Sequence, residues 1–293
     1  MAPPDDVAQE GQPLRLSELF HENSKQRRND LEFNRRIYMV NNNPDFHVLT
    51  AHTFKHYPGA ATIALPEARP RTAAAGPAAL LGARRSVRRF DERPLALEDA
   101  AALLHLCAGL TGSLEDGPVA QPVRAAPSAG ALFPIETYLA VSRVQGVEAG
   151  VYHYRVDRHV LERVSSRAPG PALAEATFDA KLFGQAAAVL IFAGAFGRSY
   201  FKYGERGYRF ALIEAGHICQ NALLAAAALG LGAIPVGGFV DDEVNALLDL
   251  DGVDEAALYM AAVGHPRTEE VEPESAEAAA TRFLRALAEN TGG

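Results

Sequence analysis

Two uninterrupted apolar segments of strand length constrain the fold of this 293-residue chain more than any other feature. Residues 187–196 and residues 257–263 contain no charged side chain and show no alternation of polar and apolar positions. A strand with one wet face alternates, so both segments are expected to be central strands covered on both faces of a sheet. Residues 206–229 predict a helix that is apolar nearly all round, which places it in the core or at a subunit contact.

Weaker patterns predict the elements around these central strands. Residues 96–108 have apolar side chains at helical spacing, acidic residues in the first turn and a glycine after the end, as in an amphipathic helix. Residues 135–143, 150–155 and 159–164 predict strands, and the short turn between the last two indicates a meander. The chain therefore mixes helical and strand periodicity, with no internal repeat.

The length of the chain allows one large domain or two modest ones. Residues 1–75 are polar and irregular in pattern, and we predict that they form an arm whose scattered apolar residues pack on the main body. Residues 72–76 predict a linker into a short helix. We predict one main domain over residues 76–293, with an alanine-rich helix from Glu274 onward.

Composition excludes several classes of function. The formal net charge of -8 disfavours a nucleic-acid surface. Cys107 and Cys219 lie in apolar helical patterns and predict buried thiols, too few for a zinc site. The first residues lack the basic and apolar regions of a secretory signal, so a cytoplasmic location is expected. Residues 222–239 are uncharged, yet their five glycine and proline residues predict a helix end, a strand and a turn instead of a membrane span.

A compact basic cluster follows the short helix that is predicted after residue 76. Arg84, Arg85 and Arg88 could converge on one anion, with the hydroxyl of Ser86 as a further donor. The alternative is a solvated basic surface, which is the more common meaning of such a run taken alone.

Two segments of small residues are candidates for contact with a planar ligand. Residues 126–134 lead directly into a predicted strand, and residues 235–238 read Pro-Val-Gly-Gly. Small side chains let the backbone approach a flat ring, and exposed N–H groups can bond its polar edge. Tight turns are the alternative for both segments.

A lysine and a tyrosine precede the long apolar helix. Lys202 becomes a useful base near neutral pH only if burial or neighbouring cations lower its pKa. Arg198, Arg206 and Arg209 are close in sequence and could supply such a field. The alternative is an exposed lysine beside an anchoring tyrosine, Tyr203.

The long helix also carries a polar stripe. Glu214 and His217 have the Glu-x-x-His spacing that supplies ligands in di-iron bundles, and Glu18 and His21 repeat it. The predicted strands and the irregular arm disfavour a four-helix metal site. We therefore predict that Glu214, His217 and Asn221 form hydrogen bonds across a pair of helices.

Four motifs follow one another in a characteristic order. They are RRSVRRF at residues 84–90, APSAGALFP at 126–134, KYGERGYRFALIEAGH at 202–217 and LGLGAIPVGGF at 229–239. Together they resemble the SagB-type dehydrogenases of the flavin-dependent nitroreductase superfamily, which include the azoline oxidases of thiazole- and oxazole-modified peptide pathways. The resemblance covers roughly residues 80–270, and parts of the arm also look like that subfamily.

The resemblance implies an α+β fold with a central, mostly antiparallel sheet wrapped by helices. It also implies a homodimer with two flavin mononucleotides (FMN) at the subunit interface. The resemblance implies that the phosphate and ribityl oxygens of FMN are held by Arg84, Arg85, Ser86 and Arg88, with Arg267 as a further basic group. It implies that Pro127 also contacts FMN, and that the other subunit contributes Ser128, Ala129, Gly130 and Ala131. The residues implied along the flavin ring are Pro235, Val236, Gly237 and Gly238. Lys202 and Tyr203 match the Lys-Tyr pair assigned to catalysis in azoline oxidases.

The activity implied by the resemblance is oxidation of a thiazoline or oxazoline ring, in which a base removes a ring proton and hydride leaves for the flavin. The substrate is expected on a peptide or carrier, with a cyclodehydratase or peptide synthetase as partner. One alternative is an NAD(P)H-dependent nitro- or quinone-reductase. Another is a flavin-free scaffold that binds a peptide or a synthetase, which the arginine cluster disfavours because unscreened cations repel one another.

Overall fold

The computed structural model describes residues 15–27, 30–68, 76–115 and 119–267. Within these ranges, seven strands form one sheet in the order β1-β6-β5-β4-β7-β9-β8, and every neighbouring pair is antiparallel. The strands are β1 Thr62–Ala64, β2 Leu110–Leu114, β3 Gln121–Arg124, β4 Ile135–Val141, β5 Gly150–Arg155, β6 Val160–Ser165, β7 Ala188–Ala195, β8 Gly232–Val236 and β9 Glu255–Gly264. Strands β2 and β3 form a separate hairpin.

The predicted central strands are central in the structure. Every residue of β4 and β7 is buried, and β9 lies between β7 and β8. Helices cover both faces, because one hydrophobic core packs α5 and α9 against the sheet and a second core packs α6, α7 and α10 against the other face. The helices are α1 Leu16–Asn23, α2 Leu31–Asn41, α3 Pro44–Ala51, α4 Pro77–Ala83, α5 Leu97–Ala108, α6 Pro169–Glu175, α7 Ala180–Gln185, α8 Gly197–Tyr203, α9 Arg206–Ala228 and α10 Asp241–Leu248. The α+β fold with an antiparallel sheet is confirmed.

The prediction of an irregular arm is wrong, because α1, α2 and α3 lie between residues 16 and 51. Local capping explains two of these helices. The Asp30 carboxylate accepts a hydrogen bond from the N–H of Phe33 at 2.9 Å, and Asn43 caps α3 immediately before Pro44 at its first position. These short helices have polar outer faces, so their apolar periodicity is weak in the sequence.

Two aromatic pairs join the arm to the main body. The ring of Phe20 meets Tyr208 edge-on at 5.5 Å between centroids, and Phe46 stacks on Phe201 at 5.4 Å. Both partners belong to α8 and α9, so the arm covers the region around the Lys-Tyr pair. The division at residue 75 itself stays a prediction.

Helix α9 confirms the predicted long helix. Among the described residues it is long and apolar enough to cross a membrane by length and composition, yet half of that stretch is buried inside the protein, as in an ordinary core helix. The chain then forms β8, which confirms the predicted strand, and passes through Gly237 and Gly238 toward α10. Leu212 and Ile213 lie exposed on the outer face of α9, which leaves that face available for a subunit contact.

The cysteines are free and buried, as predicted. Burial raises the pKa of the Cys219 thiol to about 12 and raises that of Cys107 as well. No group of three or more His, Cys, Asp or Glu side chains within the described ranges could hold a metal ion. The linker residues 72–75 and the predicted helix from Glu274 lie outside the described residues.

Candidate functional site

The loop before β4 has an unusual backbone. A short 3-10 turn spans Ala129–Ala131, and the φ angles of Gly130, Ala131 and Phe133 are 63°, 53° and 45°. Left-handed φ values are natural for glycine but uncommon for alanine and for a bulky aromatic residue. Strain of this kind concentrates at sites where the surrounding contacts impose it, so this loop is a candidate for function.

The Lys-Tyr pair at the end of α8 lies against this loop. A Cβ atom built on Gly130 would stand 2.5 Å from the Tyr203 Oη and 3.0 Å from the Lys202 Nζ. The absence of a side chain therefore lets the backbone approach both reactive groups. Two motifs that are 72 residues apart in the sequence thus form one cluster.

Partial burial perturbs both members of the pair. Burial lowers the pKa of Lys202 and raises the pKa of Tyr203. The Lys202 Nζ lies 5.5 Å from the centroid of the Tyr203 ring. A larger fraction of the amine is therefore neutral, and able to accept a proton, than in an exposed lysine, while the phenol keeps its proton.

The proposed cationic field from neighbouring arginines is wrong. Burial is the cause that lowers the Lys202 pKa. The Arg198 guanidinium forms an ion pair with Glu136 at 2.6 Å, so its charge is compensated. Arg206 and Arg209 both turn toward the arm, where they donate to the carbonyl and the hydroxyl of Ser24.

The polar stripe of α9 contacts the loop before β4 and not a second helix, so that prediction is also corrected. The Glu214 carboxyl group lies close to the hydroxyl of Ser128, and the amide of Asn221 donates to the carbonyl of Ala125 at 3.3 Å. Burial raises the pKa of Glu214 to about 7. His217 is exposed. Asn221 thus supports the start of the loop that lies against the Lys-Tyr pair, and Glu214 lies beside that loop.

A polar cleft of about 240 Å³ opens beside Tyr203. Its walls come from the arm, including Ser24 and Arg36, and from the junction between α8 and α9. The arm therefore brings hydrogen-bonding groups to the edge of the Lys-Tyr cluster.

We expect Gly130→Ala to impair the chemistry of the pair far more than the stability of the protein. The added methyl group displaces the amine and the phenol, whereas the φ of 63° costs about 1–2 kcal/mol for alanine. The melting temperature should therefore fall only slightly, whereas turnover should fall strongly. Gly82→Ala is the matched control, since a Cβ there meets nothing within 4 Å. Wild-type turnover by Gly130→Ala would contradict the assignment of this cluster.

The basic cluster lies along a strand of the sheet. After α4 the chain is extended, Ser86 pairs in parallel with Ala233 of β8, and the N–H of Val87 donates to the carbonyl of Ala233 at 3.0 Å. The expected change from helix to extended chain at the cluster is confirmed. Backbone pairing with β8 thus fixes the segment of residues 84–88 in the fold.

The cations of this segment have no carboxylate partner among the described residues. Arg85 donates to the carbonyl of Gly82 at 2.9 Å, and none of Arg84, Arg85 and Arg88 forms an ion pair with a residue in the described ranges. Arg267 is held nearby, since its N–H donates to the carbonyl of Arg89 at 3.1 Å. Within the described part of the chain, the segment therefore concentrates positive charge that no carboxylate pairs with.

The turn after β8 leaves its backbone open. Pro235 and Val236 end this edge strand, where a missing N–H is tolerated, and Gly237 and Gly238 are exposed. A Cβ at either glycine would meet only ordinary contacts, at 3.6 Å from Tyr259 and 3.7 Å from Phe178, and neither glycine has a positive φ. Packing within this chain therefore does not require glycine at these two positions.

A family model described as "Nitroreductase family" matches residues 81–265, which is more than half of the chain. The chain belongs to the nitroreductase family. Members of this family are flavin oxidoreductases and typically bind FMN. The match contains the arginine segment, the loop before β4, the Lys-Tyr pair and the turn after β8.

Individual relatives of this nitroreductase-family chain include a protein named as a nitroreductase and a protein named for trifolitoxin processing. A protein from Methanocaldococcus jannaschii, whose name assigns it to the nitroreductases, is 38% identical over 57% of this chain and 81% of its own length. The trifolitoxin-processing protein TfxB of Rhizobium leguminosarum bv. trifolii is 36% identical over 56% of this chain and 46% of its own length. This chain thus spans about half the length of TfxB.

A solved structure from a peptide-processing system also resembles this chain. One chain of the Escherichia coli microcin synthetase McbBCD complex, solved with truncated pro-MccB17 bound, is 25% identical with a TM-score of 0.54. The similarity covers 87% of this chain and 98% of that chain. Together with TfxB, it supports the SagB-type subfamily within the nitroreductase family.

The arginine segment and the Lys-Tyr pair lie at opposite ends of the sheet in this nitroreductase-family chain. Ala233, beside the arginine segment, pairs with Val263 of β9, whereas Ile135, after the glycine loop, pairs with Gly194 near Ala256 of β9. These positions on β9 are roughly 20 Å apart along the strand. One chain therefore does not bring its arginine segment and its Lys-Tyr pair together.

Sequence reasoning missed the contacts that support the loop. Arg198 donates to the carbonyl of Phe133 at 2.8 Å, and Glu136 in β4 is its buried ion-pair partner. The available signal was a carboxylate inside a strand that is otherwise almost entirely apolar. Such a residue needs a partner, but the sequence does not identify which cation provides it.

Proposed function

We propose that this protein binds FMN and dehydrogenates thiazoline or oxazoline rings. The observation that carries the proposal is the half-buried amine and phenol of Lys202 and Tyr203, held against the backbone of Gly130. An amine with a lowered pKa is a suitable base, and a phenol with a raised pKa is a suitable hydrogen-bond donor. Simple hydride exchange between a nicotinamide and a flavin requires neither group.

The described residues fit FMN. Arg84, Arg85 and Arg88 offer guanidinium groups without carboxylate partners among the described residues, and such groups bind phosphate strongly. Ser86 adds a hydroxyl donor, and the open backbone of residues 235–238 can border a planar ring. Arg267 is proposed as a further phosphate contact. Bound FMN would supply the two-electron acceptor that the side chains lack.

A homodimer is proposed as the active unit. The arginine segment and the Lys-Tyr pair of one chain lie at opposite ends of the sheet, so a site that uses both must draw them from two chains. Residues 128–131 would then approach the cofactor held by the other chain. The exposed Leu212 and Ile213 on α9 support an interface on that face of the protein.

The side chains have distinct roles in the proposed reaction. Conversion of an azoline to an azole removes one proton and one hydride equivalent from adjacent ring atoms. The neutral Lys202 amine takes the proton and becomes an ammonium group. The protonated Tyr203 donates a hydrogen bond that orients the ring. Contact of this pair with Gly130 keeps the two groups at a fixed separation.

The substrate is proposed to be a peptide- or carrier-bound azoline. Support comes from TfxB, whose name places it in trifolitoxin processing, and from the McbBCD complex, which is a microcin synthetase. A cyclodehydratase or a peptide synthetase is the proposed partner, and the cytoplasm is the proposed location. The polar cleft beside Tyr203 offers space for the chain that flanks the ring.

A second candidate function is NAD(P)H-dependent reduction of nitro compounds or quinones. The Methanocaldococcus jannaschii relative, named as a nitroreductase, favours it. The flavin-free scaffold is less favoured, since the uncompensated arginine segment would then have no anion to bind.

Anaerobic stopped-flow measurements distinguish these functions. We expect the FMN-reconstituted protein to lose its flavin absorbance when mixed with a thiazoline peptide, and mass spectrometry to show loss of two hydrogens per ring. A peptide that already contains the thiazole is the control and should give no change. Rapid bleaching by NADPH with none by the thiazoline peptide would establish the reductase. A colourless protein that FMN does not reconstitute would establish the scaffold.

A further inference from the structure

Hydrogen bonds hold both backbone polar groups of the strained residue Phe133. Its N–H donates to the hydroxyl oxygen of Ser128 at 2.9 Å, and its carbonyl accepts from the Arg198 Nη1 at 2.8 Å. The φ of Phe133 is 45°, a left-handed value that a bulky residue rarely adopts without support. Two polar side chains thus hold the conformation of the loop that carries Gly130.

Arg198 joins this loop to two other elements. Its second terminal nitrogen, Nη2, lies 2.6 Å from the Glu136 Oε1 in β4. The residue belongs to α8 and precedes Lys202 by one helical turn. Only 14% of the Arg198 side chain and 4% of the Glu136 side chain are exposed. One guanidinium group therefore fixes the loop, the sheet and the helix of the Lys-Tyr pair to one another.

A buried chain of contacts holds the Glu136 carboxylate in place. Its Oε2 lies 2.9 Å from the His153 Nε2, and the His153 Nδ1 lies 3.1 Å from the Glu162 Oε2. The same oxygen of Glu162 accepts from the N–H of Tyr57 in the arm at 3.1 Å. Burial raises the pKa of Glu136, but the Arg198 guanidinium and the His153 ring more than offset this and hold it well below its usual range.

We propose that Arg198 is a positioning residue, which sets the distance between the Gly130 backbone and the Lys202–Tyr203 pair through its hydrogen bond to Phe133 and its ion pair with Glu136. Arg198 acts through the loop and the helix and does not take part in proton transfer. The kinetic part of this inference rests on the proposed azoline oxidation, whereas the structural part does not. A misplacement of about 1 Å in a reacting group costs on the order of 100-fold in rate, so loss of this brace should be visible in turnover.

A second arginine provides a matched control. Arg155 also pairs with a carboxylate of the buried chain, at 3.3 Å from the Glu162 Oε1, and its other contacts are to Asp157. It belongs to β5 and contacts neither the loop nor α8. Arg155→Ala thus disturbs the same network at the end away from the pair.

Steady-state kinetics of the FMN-loaded dimer test the proposal. We expect Arg198→Ala to lower kcat by about 10- to 100-fold with KM changed by less than about threefold, and Arg155→Ala to keep the wild-type kcat. Added guanidinium ion should partly restore kcat in Arg198→Ala and leave Arg155→Ala unchanged. A wild-type kcat in Arg198→Ala would overturn the proposal, as would an equal loss of kcat in both variants.

Amide hydrogen exchange provides a readout that does not depend on the reaction. In the full-length Arg198→Ala protein, exchange should accelerate in peptides covering residues 128–135 and 197–204, with no change there in Arg155→Ala. Unchanged exchange in these peptides would overturn the proposal even if turnover falls. If no azoline is oxidised by the wild-type protein, the proposed function fails while this measurement still decides the structural role.

The alanine variant removes the arginine that pairs with the buried Glu136 carboxylate, which could prevent folding. The double variant Arg198→Met with Glu136→Gln removes that charge and keeps a hydrogen-bonding group beside His153. It should show the same loss of kcat and the same faster exchange over residues 128–135. Wild-type behaviour of the double variant would overturn the proposal.

Discussion

Replacing Lys202 with alanine is expected to lower the rate of azoline oxidation by about 100- to 10,000-fold, the usual contribution of a positioned base. The FMN content should not change, because the arginine segment lies at the other end of the sheet in the same chain. The free energy of unfolding should change little, since the amine is only half-buried. Single-turnover absorbance changes with a thiazoline peptide measure this effect.

The pH dependence of the same reaction follows from the lowered pKa of Lys202. A base acts in its neutral form, so the rate should rise with pH and level off above the Lys202 pKa. Burial lowers this value, so the plateau should begin below the pKa of about 10.4 of a free lysine. Burial raises the pKa of Tyr203, so the phenol stays protonated across this range.

Lys181→Ala is the matched control, because Lys181 is an exposed lysine on α7. Tyr203→Phe should have a smaller effect than Lys202→Ala, since it removes a hydrogen bond and not the base. If Lys202→Ala binds FMN normally and oxidises the azoline at the wild-type rate, Lys202 is not the base.

Replacing Arg84 and Arg88 together with alanine should cause the largest loss of FMN affinity. Each hydrogen bond between a guanidinium group and a phosphate contributes about 1.5–3 kcal/mol, so each substitution should weaken binding by roughly 10- to 150-fold. The double variant should therefore be isolated without colour. Its fold should persist, because backbone pairing of Ser86 and Val87 with Ala233 holds the segment in place.

Equilibrium titration of the apoprotein with FMN, followed by fluorescence quenching, measures this loss. Arg158→Ala is the control, because 70% of that side chain is exposed in the turn between β5 and β6. The wild-type affinity should also fall with rising salt, since phosphate contacts near the surface are screened. An unchanged Kd in the double variant would show that the cluster serves another purpose.

Much of the sheet could be predicted from the sequence because burial on both faces leaves a continuous apolar run. This signal located β7 and β9, helical spacing located α5, and a long stretch that is apolar nearly all round located α9. The helices of the arm were not predicted, because they expose most of their residues and their apolar periodicity is therefore weak. Their capping residues Asp30 and Asn43 were visible and indicate helix starts, but no clearly periodic segment follows either residue.

The candidate site was predictable in composition but not in its contacts. Lys202, Gly130 and the arginine segment were all identified by residue type and order. The support of the loop by Arg198 and Asn221 was not, because both contacts join residues far apart in the chain. The position of Arg198 in the sequence suggested that its charge lowers the pKa of Lys202. In the structure, Arg198 forms an ion pair with the carboxylate of Glu136 instead.

The placement of the arginine segment and the Lys-Tyr pair at opposite ends of one sheet has a genetic consequence. If both serve the same flavin, each reaction centre combines one end from each of two polypeptides. A mixed pair, with one copy defective at the arginines and the other at the lysine, concentrates both defects in one centre and leaves the other intact. Two inactive alleles would then complement one another, with activity shared between products that are each inert alone.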